Sequence, residues 1–168
     1  KYNGYCSDIF TDEAIKFIED NKDNQFFCYL SFNAPHTPLQ VPDKYYQMYK
    51  DIDPTNINGE SLEMTEKNIL DAKKIYGMVT NIDENFGKLI NKLDELNLKE
   101  NTIVIFMTDN GPQQPRYVSN LKGLKSQVYN GGIKVPFYFN FPKIHNEGID
   151  LDFFSAHIDV LPTIAKPV

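Results

Sequence analysis

Between residues 65 and 97 the apolar side chains Ile75, Val79, Ile82, Phe86, Leu89, Leu93 and Leu96 recur at alternating steps of four and three. That period puts them on one face of a long amphipathic α-helix. Elsewhere the apolar residues come in a different form, as near-continuous runs: 26–32 (FFCYLSF), 102–108 (TIVIFMT) and 135–141 (VPFYFNF). Runs of this length without alternation read as buried strands of a parallel sheet, covered on both faces. Thr11-Asp12-Glu13 reads as a helix start, with Thr11 as cap and acids in the first turn, and the helix is predicted to reach about Asn21. At the far end, residues 155–164 give a last helix, with Asp159 ahead of its apolar start. The order is helix, strand, long helix, strand, loop, strand, helix. Such alternation predicts an α/β fold, a mostly parallel sheet with flanking helices. Its chemistry is expected just beyond the carboxyl ends of the strands.

The 168 residues suit one domain or a large piece of one. With 41% hydrophobic and 24% charged residues the chain has enough apolar material to fold, which excludes a disordered tract. A net charge of -6 argues against a nucleic-acid surface, which needs clustered Lys and Arg. It leaves room for a local cationic pocket holding an anion. No apolar run is long enough to span a membrane and no signal peptide opens the chain. Lys1 is not a natural start, so the expectation is a chain that begins inside a longer protein or after processing. Cys6 and Cys28 have no metal-ligand spacing and read as unpaired, partly buried thiols rather than a disulfide. Residues 42–66 are polar and read as a surface excursion with a short helical turn at about 44–49. That excursion and the 113–120 loop are candidate walls of a specificity pocket.

Three places carry residues suited to chemistry. Asp109-Asn110 ends an apolar strand abruptly, and both side chains offer the oxygen ligands that calcium or magnesium takes. The plainer reading is an Asx turn closing the strand. His36 stands in Pro35-His36-Thr37-Pro38, where a stiff backbone could fix an imidazole that donates a proton or holds an anion. The alternative is a loop histidine bonded to backbone. Lys122 and Lys125 are compact point charges suited to sulfate or phosphate oxygens, or else solvated surface lysines. Gly131-Gly132 reads as a tight turn. Neither GxGxxG nor GxxxxGK[ST] spacing is present, so it is not a phosphate cradle.

Taken in order, these segments resemble one family. Phe32-Asn33-Ala34-Pro35-His36-Thr37-Pro38 is similar to the sulfatase segment that supplies a substrate-contacting histidine. The run from Asn101 through Asp109-Asn110-Gly111 resembles the strand and loop that supply two ligands of the active-site cation. Lys122-Gly123-Leu124-Lys125, followed by Tyr129-Asn130-Gly131-Gly132-Ile133-Lys134-Val135-Pro136, resembles the segment carrying a sulfate-binding lysine. The stretches opening at Thr11 and Asp159 agree as well. The chain thus resembles the central part of the sulfatase (arylsulfatase-like) family, of the alkaline-phosphatase-like superfamily, over nearly its whole length. Some family features are not in it: the Cys/Ser-x-Pro-Ser-Arg motif that becomes formylglycine, the paired aspartates near the N-terminus and a Gly-Lys-Trp-His stretch. Lys122 and Lys134 stand where arginine is common, which forgoes a bidentate guanidinium contact.

The resemblance implies an alkaline-phosphatase-like catalytic domain, of which residues 1–168 are one part, truncated at both ends. It implies sulfate-ester hydrolysis by a formylglycine located outside this chain, with calcium or magnesium as the cation. Asp109 and Asn110 are then its metal ligands. His36 and Lys125 are the catalytic residues, and His36, Lys122 and Lys125 contact substrate. The implied partner is a sulfated small molecule or sulfated glycan, and the implied compartment is periplasmic, secreted or lysosomal-type. Two other readings stand beside this one: a phosphoryl hydrolase of the same superfamily and a non-catalytic relative that binds a sulfated glycan. On any of them, the isolated chain is expected to be inactive as a sulfatase.

Overall fold

A computed structural model describes residues 2–57, 60–144 and 147–165. Helix α1 (Cys6–Asp20) starts five residues before Thr11, after an extended Tyr5 that gives no side-chain cap. Thr11 is therefore not a cap. It is fully buried, and its Oγ1 donates to Ser7 O four residues back, 2.9 Å away. Ser7, Thr11, Ala14 and Ile18 follow one another on the buried face at helical spacing. The expected helical turn near residue 44 is α2 (Asp43–Tyr49), entered through Pro42. The excursion around it is not all surface, because Tyr45 is only 2% exposed. Two short strands, β1 (Asn56–Ile57) and β2 (Glu60–Ser61), pair antiparallel just after it.

The long periodic segment is helix α3 (Glu66–Glu95), and Thr65 caps it by accepting from Asn68 N at 3.2 Å. Helices α1 and α2 both pack on it, and Ala14, Ile18, Tyr45, Ala72, Ile75, Met78, Ile82 and Leu93 form the core. A Cβ on Gly77 would lie 3.0 Å from Val41 Cγ2 and 3.1 Å from Tyr45 O, so the missing side chain lets α2 approach closely. The apolar stripe is not wholly the buried one: Ile75, Ile82 and Leu93 are inside, but Val79 is 48% exposed. The buried face turns instead toward Asn81 and Asn85, both at 0% exposure. Their Nδ2 groups each donate to Asp8 Oδ1 at 2.7 Å, which joins α1 to α3.

A 3₁₀ turn (Lys99–Asn101) leads into β3 (Val104–Met107), which lies under the far flank of α3, with Phe86 edge-on to Phe106 at 5.3 Å. After the long loop come a single helical turn, α4 (Asn130–Ile133), and strand β4 (Phe137–Asn140). Strands β3 and β4 pair antiparallel, with Val104 opposite Asn140 and Met107 opposite Phe137. A 3₁₀ turn (His157–Asp159) and α5 (Val160–Ala165) complete the order.

The architecture is mixed α/β, but the strands paired among the described residues are all antiparallel, where a parallel sheet was expected. Residues 26–32 form no ladder, and Phe27 and Tyr29 are 77% and 74% exposed, so that run is not a buried strand here. No neighbouring strand lies alongside it among the described residues to take up its amides and carbonyls. Cys6 and Cys28 are free, as expected, but exposed rather than partly buried. Among the described residues no helix is long and apolar enough to cross a membrane.

Candidate active site

The β3–β4 ladder stops at Met107, and the chain then turns sharply at Asp109. Asp109 Oδ1 accepts from Asn110 N at 2.9 Å, and Asn110 Nδ2 donates to Gly111 O at 2.9 Å. The Asp109 side chain thus bonds the next residue's amide, where an Asx turn would bond the one after, so the bend closing the strand is not the Asx turn read from sequence. This bend uses only one oxygen of Asp109 and only the amide nitrogen of Asn110. Asp109 Oδ2 and Asn110 Oδ1 accept no hydrogen bond among the described residues, so the turn and a ligand role are compatible.

Two main-chain hydrogen bonds staple this turn to the lysine-bearing loop: Gly111 N to Gly132 O at 2.9 Å and Lys125 N to Pro112 O at 2.7 Å. The loop itself is closed by Gly131 N to Lys122 O at 2.7 Å. The fit leaves no space for side chains at the crossing. A Cβ on Gly111 would fall 1.8 Å from Gly131 O. Gly131-Gly132, read from sequence as a tight turn, lies within α4 and serves as the surface against which Gly111 packs. Asp109, Asn110 and Lys125 therefore belong to one place, although 16 positions separate Asp109 from Lys125.

Lys125 is half-buried, and none of the ion pairs among the described residues involves it or Asp109. A half-buried ammonium without a carboxylate leaves its charge for an anion. Lys122 is exposed and engaged differently, with Nζ 4.3 Å from the centre of the Tyr129 ring. His36 stands apart. Its Nδ1 donates to Thr37 O at 2.8 Å and its backbone N to Asn33 O at 3.0 Å. No hydrogen bond among the described residues ties it to the Asp109–Lys125 cluster. With Nδ1 used locally, Nε2 is the nitrogen left for a ligand.

Two residues near this cluster had no signal in the sequence. His157 Nε2 lies 2.8 Å from Thr108 O, across 49 positions of chain. It is a lone histidine with no motif spacing around it. Arg116, four residues after Pro112, is half-buried, and its Nη1 lies 3.4 Å from Gln114 Oε1. Burial lowers its pKa, and Tyr76 opposes that shift.

The donor chemistry at Asp109-Asn110 is oxygen only, which suits a hard cation. Among the described residues no three His, Cys, Asp or Glu side chains gather into a metal cluster. The pair thus fits part of a calcium or magnesium shell, which takes about six to eight oxygens for calcium.

The turn at Asp109-Asn110, with its oxygen donors, is thus stapled to a loop whose Lys125 has no ion pair among the described residues. Comparison with known proteins gives the family. The sulfatase family model matches residues 1–167. The sulfatase YdeN of Escherichia coli is 32% identical over 93% of this chain and 27% of its own length. An arylsulfatase of Hemicentrotus pulcherrimus is 29% identical over 94% of this chain and 25% of its own. The crystal structure of Ps i-CgsB in complex with k-i-k-neocarrahexaose superposes with a TM-score of 0.70 at 34% identity, over 85% of this chain and 29% of that one. This chain belongs to the sulfatase family, of the alkaline-phosphatase-like superfamily. It spans less than half the length of the curated relatives it matches.

Proposed function

We propose that the protein containing this chain is a sulfuric ester hydrolase, with residues 1–168 as a central part of its single catalytic domain. The observation that carries the proposal is the pair of main-chain staples that sets Asp109-Asn110 beside an unpaired Lys125 in a sulfatase-family chain. Asp109 and Asn110 would hold a calcium ion through their unused oxygens. Lys125 neutralises charge that builds on a sulfate oxygen as the S–O bond breaks. His36 contacts the leaving oxygen and, as an imidazolium, gives it the Nε2 proton. Lys122 belongs at the rim as a substrate contact, its ammonium braced on Tyr129.

Neither Cys6 nor Cys28 lies in a Cys/Ser-x-Pro-Ser-Arg sequence, so the nucleophile is assigned to a segment outside these residues. Formylglycine there would supply the attacking oxygen, and calcium, when bound, the positive charge that steadies it. The substrate class is a sulfated small molecule or sulfated glycan. A solved relative in complex with a neocarrahexaose supports the glycan reading.

The intact protein, supplied with calcium and an aryl sulfate, should release the phenol. Turnover of a phosphate monoester with zinc, and none of the sulfate, would point to a phosphoryl hydrolase instead. Binding of a sulfated glycan without turnover of either ester would make it a non-catalytic relative.

A further inference from the structure

His157 opens the 3₁₀ turn that feeds α5, and this turn is locked locally. Ala156 N donates to Asp159 Oδ2 at 2.7 Å, and Asp159 N returns a bond to Ala156 O at 2.9 Å. From this fixed base the imidazole reaches Thr108 O at 2.8 Å. A carbonyl oxygen only accepts, so Nε2 carries the proton and donates. Thr108 is the residue between the last ladder position, Met107, and Asp109. The β4 partner strand no longer reaches it, and the imidazole takes over where the ladder ends.

The Asp109-Asn110 pair is thereby held from both sides. Gly111 N is fixed to Gly132 O after it, and Thr108 O is fixed to His157 before it. The second anchor sets the plane of the peptide that joins Thr108 to Asp109, and with it the direction of the Asp109 side chain. We propose that His157 is a positioning residue that aims the Asp109 carboxylate at the cation. It acts through the Thr108 carbonyl and touches neither cation nor substrate. This inference rests on the cation-site reading of Asp109, and the experiment separates the two.

His157 is exposed, so replacing it opens no cavity and the variants should fold. In the intact protein, His157→Gln keeps an N–H donor of similar reach, whereas His157→Met keeps the length without the donor. Calcium affinity is read by titration calorimetry, with the melting temperature of the calcium-free protein measured alongside. Outer partners of metal ligands typically contribute roughly tenfold or more to affinity. The Met variant should therefore bind calcium at least about tenfold more weakly, with the calcium-free melting temperature little changed, and the Gln variant should recover most of the affinity. Equal affinities for the Gln and Met variants overturn the positioning role. So does a loss of calcium-free stability in the Met variant with calcium affinity intact. Asp109→Asn serves as the reference. If it weakens calcium binding while both His157 variants match the parent, only the positioning inference fails. If Asp109→Asn leaves calcium binding unchanged, the cation reading falls and the inference with it.

Discussion

Lys125 is placed by its backbone before its side chain has any part in chemistry. Its amide is bound to Pro112 O, while its ammonium has no carboxylate among the described residues. Truncating it therefore removes charge without cutting the staple. Lys125→Ala in the intact protein should lower kcat/KM on a sulfate ester by about a hundredfold or more, as for the loss of one preorganised charge-stabilising donor. Steady-state kinetics on an aryl sulfate checks this, and an unchanged kcat/KM would remove Lys125 from the site. Asp109, Asn110 and Lys125 stand out in the sequence by residue type and order, and what the structure adds is the pair of staples joining their backbone segments. His157 was not legible there, because a single histidine contacting a carbonyl 49 positions away leaves no local pattern. His36 was legible as a residue, but its partners here are its own loop neighbours.

The elements followed their local signals where these were strong. The period of α3 and the residue-44 turn both appear. Thr11 misled because a Thr ahead of two acids resembles a cap, yet helix formation continued back to Cys6 and buried it. Strand direction was not legible, since the connection between residues 108 and 136 is long enough for either sense. Nor was the polar clamp between α1 and α3, because a hydrophobic stripe passes over buried amides. That clamp carries a prediction. Burial pushes the Asp8 pKa up, but the amides of Asn85 and Asn81, then Lys88 and Lys44, more than offset it, and the net value lies below the ordinary 3.8. A depressed folded value gives a contribution that is complete above the unfolded value and is lost as pH falls through the folded one. Asp8→Ala leaves the Asn81 amide without that acceptor and should cost about 2 kcal/mol near neutral pH. Urea unfolding should show the gap at pH 7 and see it shrink below about pH 4. A gap that holds constant into acid would show that the charge of Asp8 is not what matters.

At the scale of the whole molecule, the proposed reading draws from these residues two cation oxygens, one lysine and one histidine, and neither cysteine lies in a formylglycine sequence. They also present large apolar side chains to solvent, among them Phe27, Tyr29, Phe153 and Phe154. The 168-residue chain purified alone should therefore not hydrolyse an aryl sulfate in excess calcium. Turnover near that of the intact protein, abolished by His36→Ala, would mean that these residues include a nucleophile of their own. The staples between the Asp109 turn and the lysine loop have a further consequence. They join amide to carbonyl, and what they ask of the side chains is chiefly absence, at Gly111, Gly131 and Gly132. The neighbouring positions 113–120 are under no such demand. Sequence in that stretch can change while the backbone frame joining the two loops keeps its shape.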